Sequence, residues 1–201
     1  MILRSSPPSP FGRKVVIGAS ILGLLPGIRI ETADTNNPAD SVRRQNPVGK
    51  IPVLVLDDGT TLFDSRVILE YLDYRAGGDK IIPREPKARF AALRLQALAD
   101  GMTDAQILLL YEGRWRPKEH HVAKWTDYQA EKIARGLAAL EADPPKLGAI
   151  PNVGDIALAC FLGHRDLRFP NTWRADHPNL VAWLDRFAAQ VPAFGETRIA
   201  A

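Results

Sequence analysis

The 201-residue chain contains one cysteine, Cys160, which lies inside the apolar run DIALACFLG. A single cysteine excludes an intrachain disulfide framework and a cysteine-rich metal site. Because a free cysteine in an apolar run usually behaves as a small buried hydrophobe, we assign Cys160 to the core rather than to catalysis. The doublet His120-His121 has neither cysteines nor spaced carboxylates beside it, so no metal site is expected there.

Long apolar runs and a strong charge of one sign are also missing. No run approaches the roughly 20 residues that a membrane span needs, and the first residues lack the apolar stretch of a secretory signal. The net charge of +3 is small, and the Lys and Arg residues are spread along the chain. Neither a membrane nor a nucleic acid is therefore expected as a partner, and we expect a cytoplasmic location.

The first half of the chain alternates short apolar segments with segments of helical spacing. Two apolar runs joined by Asp57-Asp58-Gly59 predict a hairpin, and Asp64 is a good N-cap for the helix that follows. The predicted order is strand MILRS, helix PFGRKVVIGASILGLL, strand IRIET, an irregular polar segment over residues 36–46, hairpin PVLVL with TTLF, and helix DSRVILEYLDYRAGG.

The second half shows no strand pattern and predicts a helical bundle. Asn152 and Asp155 lie three residues apart before an apolar run, which is a variant of the capping box at a helix start. We predict an α/β domain over residues 1–78, a linker over 79–86 and an all-helical domain over 87–201. Helices are predicted over residues 87–112, 119–142, 153–167 and 179–190.

The stretch NPVGKIPVL places Pro52 at the mouth of a strand, although proline has no amide hydrogen for a sheet ladder. If the Ile51-Pro52 bond is cis, the chain reverses and the backbone N–H and C=O of Ile51 face solvent. An extended peptide pairs with such groups as an added strand does. The alternative is an ordinary loop before an ordinary strand.

Taken together, four motifs resemble the soluble, cytosolic-type glutathione S-transferase family, in particular its bacterial serine-type members. The motifs are SPPSPFGRKV, RRQNPVGKIPVL, LFDSRVILEYL and PNVGDIALA, in this order over essentially the full chain. The resemblance implies a thioredoxin-like N-terminal α/β domain, with a mixed sheet and a cis-proline loop, followed by an all-α helical bundle domain.

The resemblance also implies a glutathione site. Asp64 and Ser65 open a helix whose free N–H groups suit an anion, and they are expected to hold the γ-glutamyl end. Ile51 is expected to pair with the cysteinyl unit, with its backbone exposed by Pro52, and Lys50 to reach the glycyl carboxylate. The alternatives are that Asp64 and Ser65 only cap the helix and that Lys50 is only solvated.

The thiol of glutathione needs a donor that lowers its pKa, because the thiolate is the nucleophile. No tyrosine precedes Tyr71 and no cysteine precedes Cys160, so the tyrosine-based and cysteine-based chemistries of the family are not expected. Serines remain as the hydroxyl donors of the first turn.

Ser9 precedes Pro10-Phe11, as the active residue does in the serine-type turn of the family. We predict Ser9 as the catalytic donor, with Ser6 as the second candidate and Ser5 as a distant third. Phe11 is assigned to the glutathione site with this turn. The alternative for Ser9 is a plain helix N-cap.

An acceptor site is expected between the domains, under the first long helix of the second half. Thr103, Ile107 and Tyr111 recur at about one helical turn and are the candidates to line it, with a core role as the alternative for Ile107. The predicted function is conjugation of glutathione to small electrophilic hydrophobic acceptors by a homodimeric detoxification enzyme. The alternatives are a non-catalytic interaction or stress-response adaptor, and a glutathione-dependent isomerase or etherase.

Overall fold

The structure, a computed structural model, describes residues 1–199. Its N-terminal half contains a four-stranded mixed sheet with the order β2-β1-β3-β4. β1 runs parallel to β2 and antiparallel to β3, and β3 pairs with β4 as an antiparallel hairpin. The strands are β1, Ile2–Ser5; β2, Arg29–Thr32; β3, Val53–Val55; and β4, Thr61–Leu62.

The predicted hairpin turn is confirmed. Gly59 has a φ of +86°, a conformation that glycine adopts at little cost, and Asp58 accepts a hydrogen bond from the amide of Thr60 at 2.8 Å. The local sequence therefore determines both the turn and the register of the two short strands.

Three helices belong to this half: α1, Pro10–Ile21; α2, Val42–Gln45; and α3, Ser65–Arg75. α1 ends earlier than predicted, because Gly23 takes a φ of +70° and a short 3₁₀ turn, Leu25–Gly27, follows. The one-turn helix α2 lies in the segment for which no helix was predicted. A single turn is too short to show a helical period.

The C-terminal half is helical, as predicted: α4, Pro86–Trp115; α5, Ala123–Ala142; α6, Val153–Arg168; α7, Pro178–Gln190; and α8, Pro192–Glu196. α5 begins later than predicted, because a 3₁₀ turn, Lys118–His120, separates it from α4. His121 therefore lies in the connection before α5, not inside the helix. No helix among residues 1–199 is both long and apolar enough to cross a membrane.

α6 is the central helix of the second half and packs against both α4 and α1. Its predicted capping box is confirmed: Asn152 accepts from the amides of Gly154 and Asp155, and Asp155 accepts from the amide of Asn152. Since α1 lies between the sheet and α6, its N-terminus lies at the junction of the two halves.

The segment between α3 and α4 overlaps the linker predicted over residues 79–86. It is not a loose connection, because the buried carboxylate of Asp73 accepts hydrogen bonds from the amides of Lys80 and Ile81 at 3.1 and 2.8 Å. Ile81 and Ile82 are themselves buried against the core of the helical half.

Candidate active site

Ser9 is the N-cap of α1, and its Oγ accepts a hydrogen bond from the amide of Gly12 at 3.1 Å. Pro10 occupies the first helical position, where its missing amide hydrogen costs nothing. Capping uses the oxygen of the hydroxyl as an acceptor, so its hydrogen remains available for a second partner. The cap and the predicted donor role of Ser9 are therefore compatible.

The other two serines of this turn are placed differently. Ser5 is buried in β1 and its Oγ faces α1 so closely that a Cβ on Gly12 would lie 1.8 Å from it. Ser6 is half-buried, and its carbonyl accepts from the amide of Ser9 at 3.0 Å, which closes the turn that contains Pro7 and Pro8. Ser9 is thus the serine placed at the start of the helix axis.

The loop before β3 leaves a stretch of main chain unpaired. The Ile51-Pro52 peptide bond is cis, and no hydrogen-bond partner for the N–H or C=O of Ile51 is found in the described part of the chain. The side chain of buried Asn46 fixes this loop by donating to the carbonyl of Lys50 at 2.9 Å and accepting from the amide of Val48 at 3.1 Å. An extended peptide can therefore add to this edge.

Asp64 and Ser65 open α3, as predicted. Asp64 is the N-cap and accepts from the amide of Arg66 at 2.8 Å, while Ser65 is the buried first residue of the helix. Burial opposes ionisation of Asp64, but the hydrogen bond from the Arg66 amide and the charge of its guanidinium outweigh it, so the pKa of Asp64 is lowered. This helix start is an anionic carboxylate beside free amide groups.

A buried ion pair connects this region to the second half. Lys14 of α1 donates to both carboxylate oxygens of Asp100 of α4 at 2.8 Å, and the Lys14 side chain is only 1 % exposed. Arg66 approaches the same carboxylate at 3.7 Å. Asp104 lies one turn further along α4, and its pKa is raised, chiefly by burial and then by the charge of Asp100.

Sequence reasoning missed these four charged residues, Lys14, Arg66, Asp100 and Asp104. Lys14 and Asp100 lie 86 positions apart and no local pattern connects them. The one available signal was a lysine on the apolar face of α1, between Phe11 and Val15. In the structure the Lys14 ammonium lies 5.6 Å from the centre of the Phe11 ring, which places Phe11 at the edge of this charged cluster.

The predicted acceptor residues follow the α4 helix from core to surface. Thr103 is buried and its hydroxyl donates to the carbonyl of Ala99 at 2.8 Å, Ile107 is half-buried, and Tyr111 is exposed. Because Thr103 is buried and its hydroxyl hydrogen is already donated within α4, it has no donor available for a bound molecule. The acceptor role of these residues stays a prediction.

A cavity of about 660 Å³ borders Ser9, but on the side of α1 that faces α6 and α7. Neither the three α4 residues nor the residues of the Pro52 loop line it. Within residues 1–199 no group of three or more His, Cys, Asp or Glu side chains is placed to hold a metal ion.

Comparison with known proteins gives a consistent assignment. The glutathione S-transferase N-terminal domain model matches residues 8–75, and the C-terminal domain model matches residues 96–186. The chain is 35% identical over 187 residues to an uncharacterized GST-like protein, YibF, of Escherichia coli K12, which covers 90% of each chain.

Two crystal structures match over nearly the full length. A glutathione transferase family member from Pseudomonas fluorescens Pf-5 with bound glutathione has a TM-score of 0.92 and 40% identity, covering 100% of this chain and 99% of that one. A glutathione S-transferase from Methylobacillus flagellatus KT with glutathione bound has a TM-score of 0.90 and 34% identity, covering 99% of each. The chain therefore belongs to the glutathione S-transferase family.

Proposed function

We propose that this protein binds glutathione at the junction of its two halves and joins it, through its sulfur, to small electrophilic acceptors. The observation that carries the proposal is the unpaired main chain of Ile51, next to the cis bond at Pro52. The two relatives crystallised with glutathione, at 40% and 34% identity, support the same ligand.

Each part of glutathione has a matching group in this proposal. The cysteinyl unit pairs with the backbone of Ile51 as an added strand does. The γ-glutamyl carboxylate takes the N–H groups at the start of α3, with Ser65, and its ammonium lies near Asp64. Lys50 takes the glycyl carboxylate, and Phe11 lies beside the bound peptide.

Ser9 is the proposed catalytic donor. A free thiol with a pKa of about 8.5 is only a few per cent ionised at neutral pH. The Ser9 hydroxyl and the positive end of α1 both favour the thiolate, so they lower its pKa. Ser6 remains the second candidate, for a geometry in which bound glutathione shifts the turn.

The chemical step is a nucleophilic attack by sulfur on an electrophilic carbon. A sulfur–carbon bond forms, and a halide or similar group leaves with the electron pair of its bond to carbon. With an activated alkene as acceptor, the carbanion formed on addition takes a proton from water instead. The bound thiol first loses its proton to water. Ser9 donates its hydrogen bond to the resulting thiolate until the attack, and no group of the chain changes its protonation state.

We also propose a homodimer that acts in cytoplasmic detoxification. Large apolar side chains are exposed along α3 and α4, as expected for a face that another subunit covers. Sedimentation equilibrium is expected to give twice the chain mass, and a monomer at micromolar concentration would contradict this. The exposed side chains include Val67, Tyr74, Phe90 and Leu98.

Two measurements test the function. Isothermal titration of the protein with glutathione is expected to show one site per chain, and an aryl halide assay is expected to show conjugation. Glutathione binding without conjugation, but with isomerisation or ether cleavage, would assign the enzyme to the alternative reactions. If the protein does not bind glutathione but captures a protein partner, the adaptor function is favoured.

A further inference from the structure

The cavity beside Arg13 shares Ser9 with the proposed glutathione site, but none of the residues expected to hold the peptide lines it: Phe11, Lys50, Ile51, Pro52, Asp64 and Ser65. It lies between the turn before α1, the second half of α6, helix α7 and the segment around α8. Its volume of about 660 Å³ is in the range that holds a small organic molecule. The walls are mixed, with charged and polar side chains beside an apolar part formed by Pro7, Pro8, Leu167, Leu184, Ala188 and Phe194.

Arg13 lines this cavity with a fixed guanidinium group that has no acidic partner. Its Nε donates to Thr197 Oγ1 at 3.0 Å, its Nη2 donates to the carbonyl of Phe194, and its central carbon lies 4.2 Å from the centre of the Phe194 ring. All of these partners are neutral. No ion pair of Arg13 and no acceptor for its Nη1 are found among residues 1–199.

The approach of Arg13 depends on the glycine beneath it. A Cβ on Gly163 of α6 would lie 2.5 Å from Arg13 Nη1 and 3.3 Å from the Phe194 ring. Any larger residue would push the guanidinium away from the helix. Gly163 therefore lets Arg13 lie against the wall of the cavity with Nη1 beside α6.

His164 supplies a second donor next to Arg13. Arg165 donates to Gln106 Oε1 at 3.2 Å, so the amide nitrogen of Gln106 must be the group that meets His164 Nδ1 at 2.6 Å. Nδ1 is then an acceptor, and the neutral ring carries its hydrogen on Nε2. Burial, followed by the charges of Arg168 and Arg13, lowers the pKa of His164 to about 4, which keeps the ring neutral.

The acidic groups of the cavity wall do not cancel these donors. Asp166 is bound by Arg174 at 3.0 and 2.6 Å and by the indole N–H of Trp173 at 2.8 Å, and it forms no ion pair with Arg13. Burial lowers the pKa of Arg13, and the more distant charge of Asp166 only partly opposes this. Asp185 is exposed, and so is the cation of Arg198. The wall thus has two donors, Arg13 Nη1 and His164 Nε2, for which no acceptor is found among residues 1–199, and one of them is charged.

We propose that this cavity binds a small molecule with an apolar body and one carboxylate, and that the carboxylate accepts from Arg13 Nη1 and His164 Nε2. A charged acceptor is the partner that a guanidinium without an ion pair needs, and two donors on residues that line the same cavity suit the two oxygens of a carboxylate. The apolar walls hold the body of the ligand. This site does not depend on the proposed glutathione chemistry.

The test uses 4-phenylbutyrate and its neutral amide, 4-phenylbutanamide, as matched probes in isothermal titration of the full chain at pH 7. The acid is expected to bind at least about tenfold more tightly than the amide, because only the acid pairs with the guanidinium. Arg13→Gln is expected to lower the affinity for the acid about tenfold and to leave the affinity for the amide unchanged. Arg186→Gln removes a charge from α7 outside the cavity and is expected to change neither probe.

Two further variants locate the site and guard against misfolding. Gly163→Ala displaces the guanidinium without removing it, and is also expected to weaken the acid. Lys50→Gln is expected to have no effect on the binding of either probe. If Lys50→Gln weakens binding of the acid and Arg13→Gln does not, the acid binds in the glutathione site and the proposal is overturned. Equal binding of acid and amide by the unmodified chain, or no binding at about 1 mM, would overturn it as well.

Discussion

Helix α1 has two adjacent cations, Arg13 and Lys14, which lie on different sides of the helix and have different partners. Lys14 faces α4 and the start of α3. It is fully buried there and bound to both carboxylate oxygens of Asp100, in the middle of α4. Arg13 faces α6 and α8, where it is partly buried and bound only to neutral oxygens. One side of the helix is thus compensated in charge by the protein itself, whereas the other leaves a cation for a ligand to neutralise.

The charge of Lys14 therefore has a structural role, whereas the charge of Arg13 is the one that we propose binds a ligand. An internal ion pair that is fully hydrogen-bonded fixes the position of the two halves, since breaking it leaves a buried carboxylate unpaired. A guanidinium without a carboxylate contributes less to the fold and remains free to bind an anion. Ser9, at the N-terminus of the same helix, lies between the two sides.

The largest expected effect is on stability, from the Lys14 side. Lys14→Met is expected to lower the free energy of unfolding by about 3 kcal/mol or more, because Asp100 is left buried without its main partner. Arg13→Met is expected to lower it by less, about 1.5–2 kcal/mol, since hydrogen bonds from a charged donor to neutral oxygens are lost but no buried carboxylate is left unpaired. Urea unfolding followed by circular dichroism measures both.

The double variant Lys14→Met with Asp100→Leu is the control for this comparison. It removes both charges, so it is expected to recover most of the stability that Lys14→Met loses. Equal losses in Lys14→Met and Arg13→Met would show that the two cations are not distinguished in this way.

The next effect is on turnover, at the N-terminus of α1. Ser9→Ala is expected to lower kcat with an aryl halide about 10²-fold, since one donor to the developing sulfur anion is removed. The dissociation constant of glutathione is expected to change little, because the other contacts remain. Ser6→Ala is the matched control, and a larger loss in Ser6→Ala than in Ser9→Ala would transfer the role to Ser6.

A smaller effect depends on pH and reports on the Arg13 side. The pKa of His164 is about 4 in the folded chain and 6.5 in the unfolded chain, so the unfolded chain takes up the proton first as the pH falls. The stability present above pH 6.5 is therefore lost on acidification, by about 2 kcal/mol between pH 7 and pH 5. Thermal unfolding of the chain and of His164→Gln at both pH values isolates this contribution from that of the carboxylates.

In His164→Gln the dependence on pH is expected to be weaker by that amount. An identical dependence in both proteins would mean that His164 is not buried as a neutral ring, and the assignment of Nδ1 as the acceptor from Gln106 would then be wrong.

The smallest effect concerns the edge of the glutathione site. Lys50→Gln is expected to weaken glutathione about fivefold, because a solvent-exposed contact to a carboxylate contributes about 1 kcal/mol. Raising the salt concentration is expected to reduce the difference between the two proteins. A difference that does not respond to salt would indicate that Lys50 acts through the shape of its loop.

What the sequence predicted was local, and what it missed was long-range. The caps at Ser9, Asp64 and Asn152 and the turn at Gly59 each depend on a few neighbouring residues, so short patterns were sufficient. The order of the motifs extended these local predictions to the two-domain fold. The loop at Pro52 was found in the same way, from a proline before a strand.

The charges around α1 follow from packing between distant segments. Lys14 meets Asp100 only because α1 and α4 meet, and the pattern of α1 alone predicted an apolar face there. The cavity needs Arg13, Gly163 and Phe194 together, although they come from three helices. The acceptor residues were assigned to α4 from helical spacing, which does not show that Thr103 is buried.

The central claim is that the start of α1 makes the sulfur of bound glutathione anionic near neutral pH. Ultraviolet titration of the thiolate in the complex tests it directly. We expect a pKa at least about one unit below the free value of about 8.5, and a return toward that value in Ser9→Ala. A bound thiol that titrates at its free value in the unmodified protein would show that the start of α1 does not stabilise the thiolate.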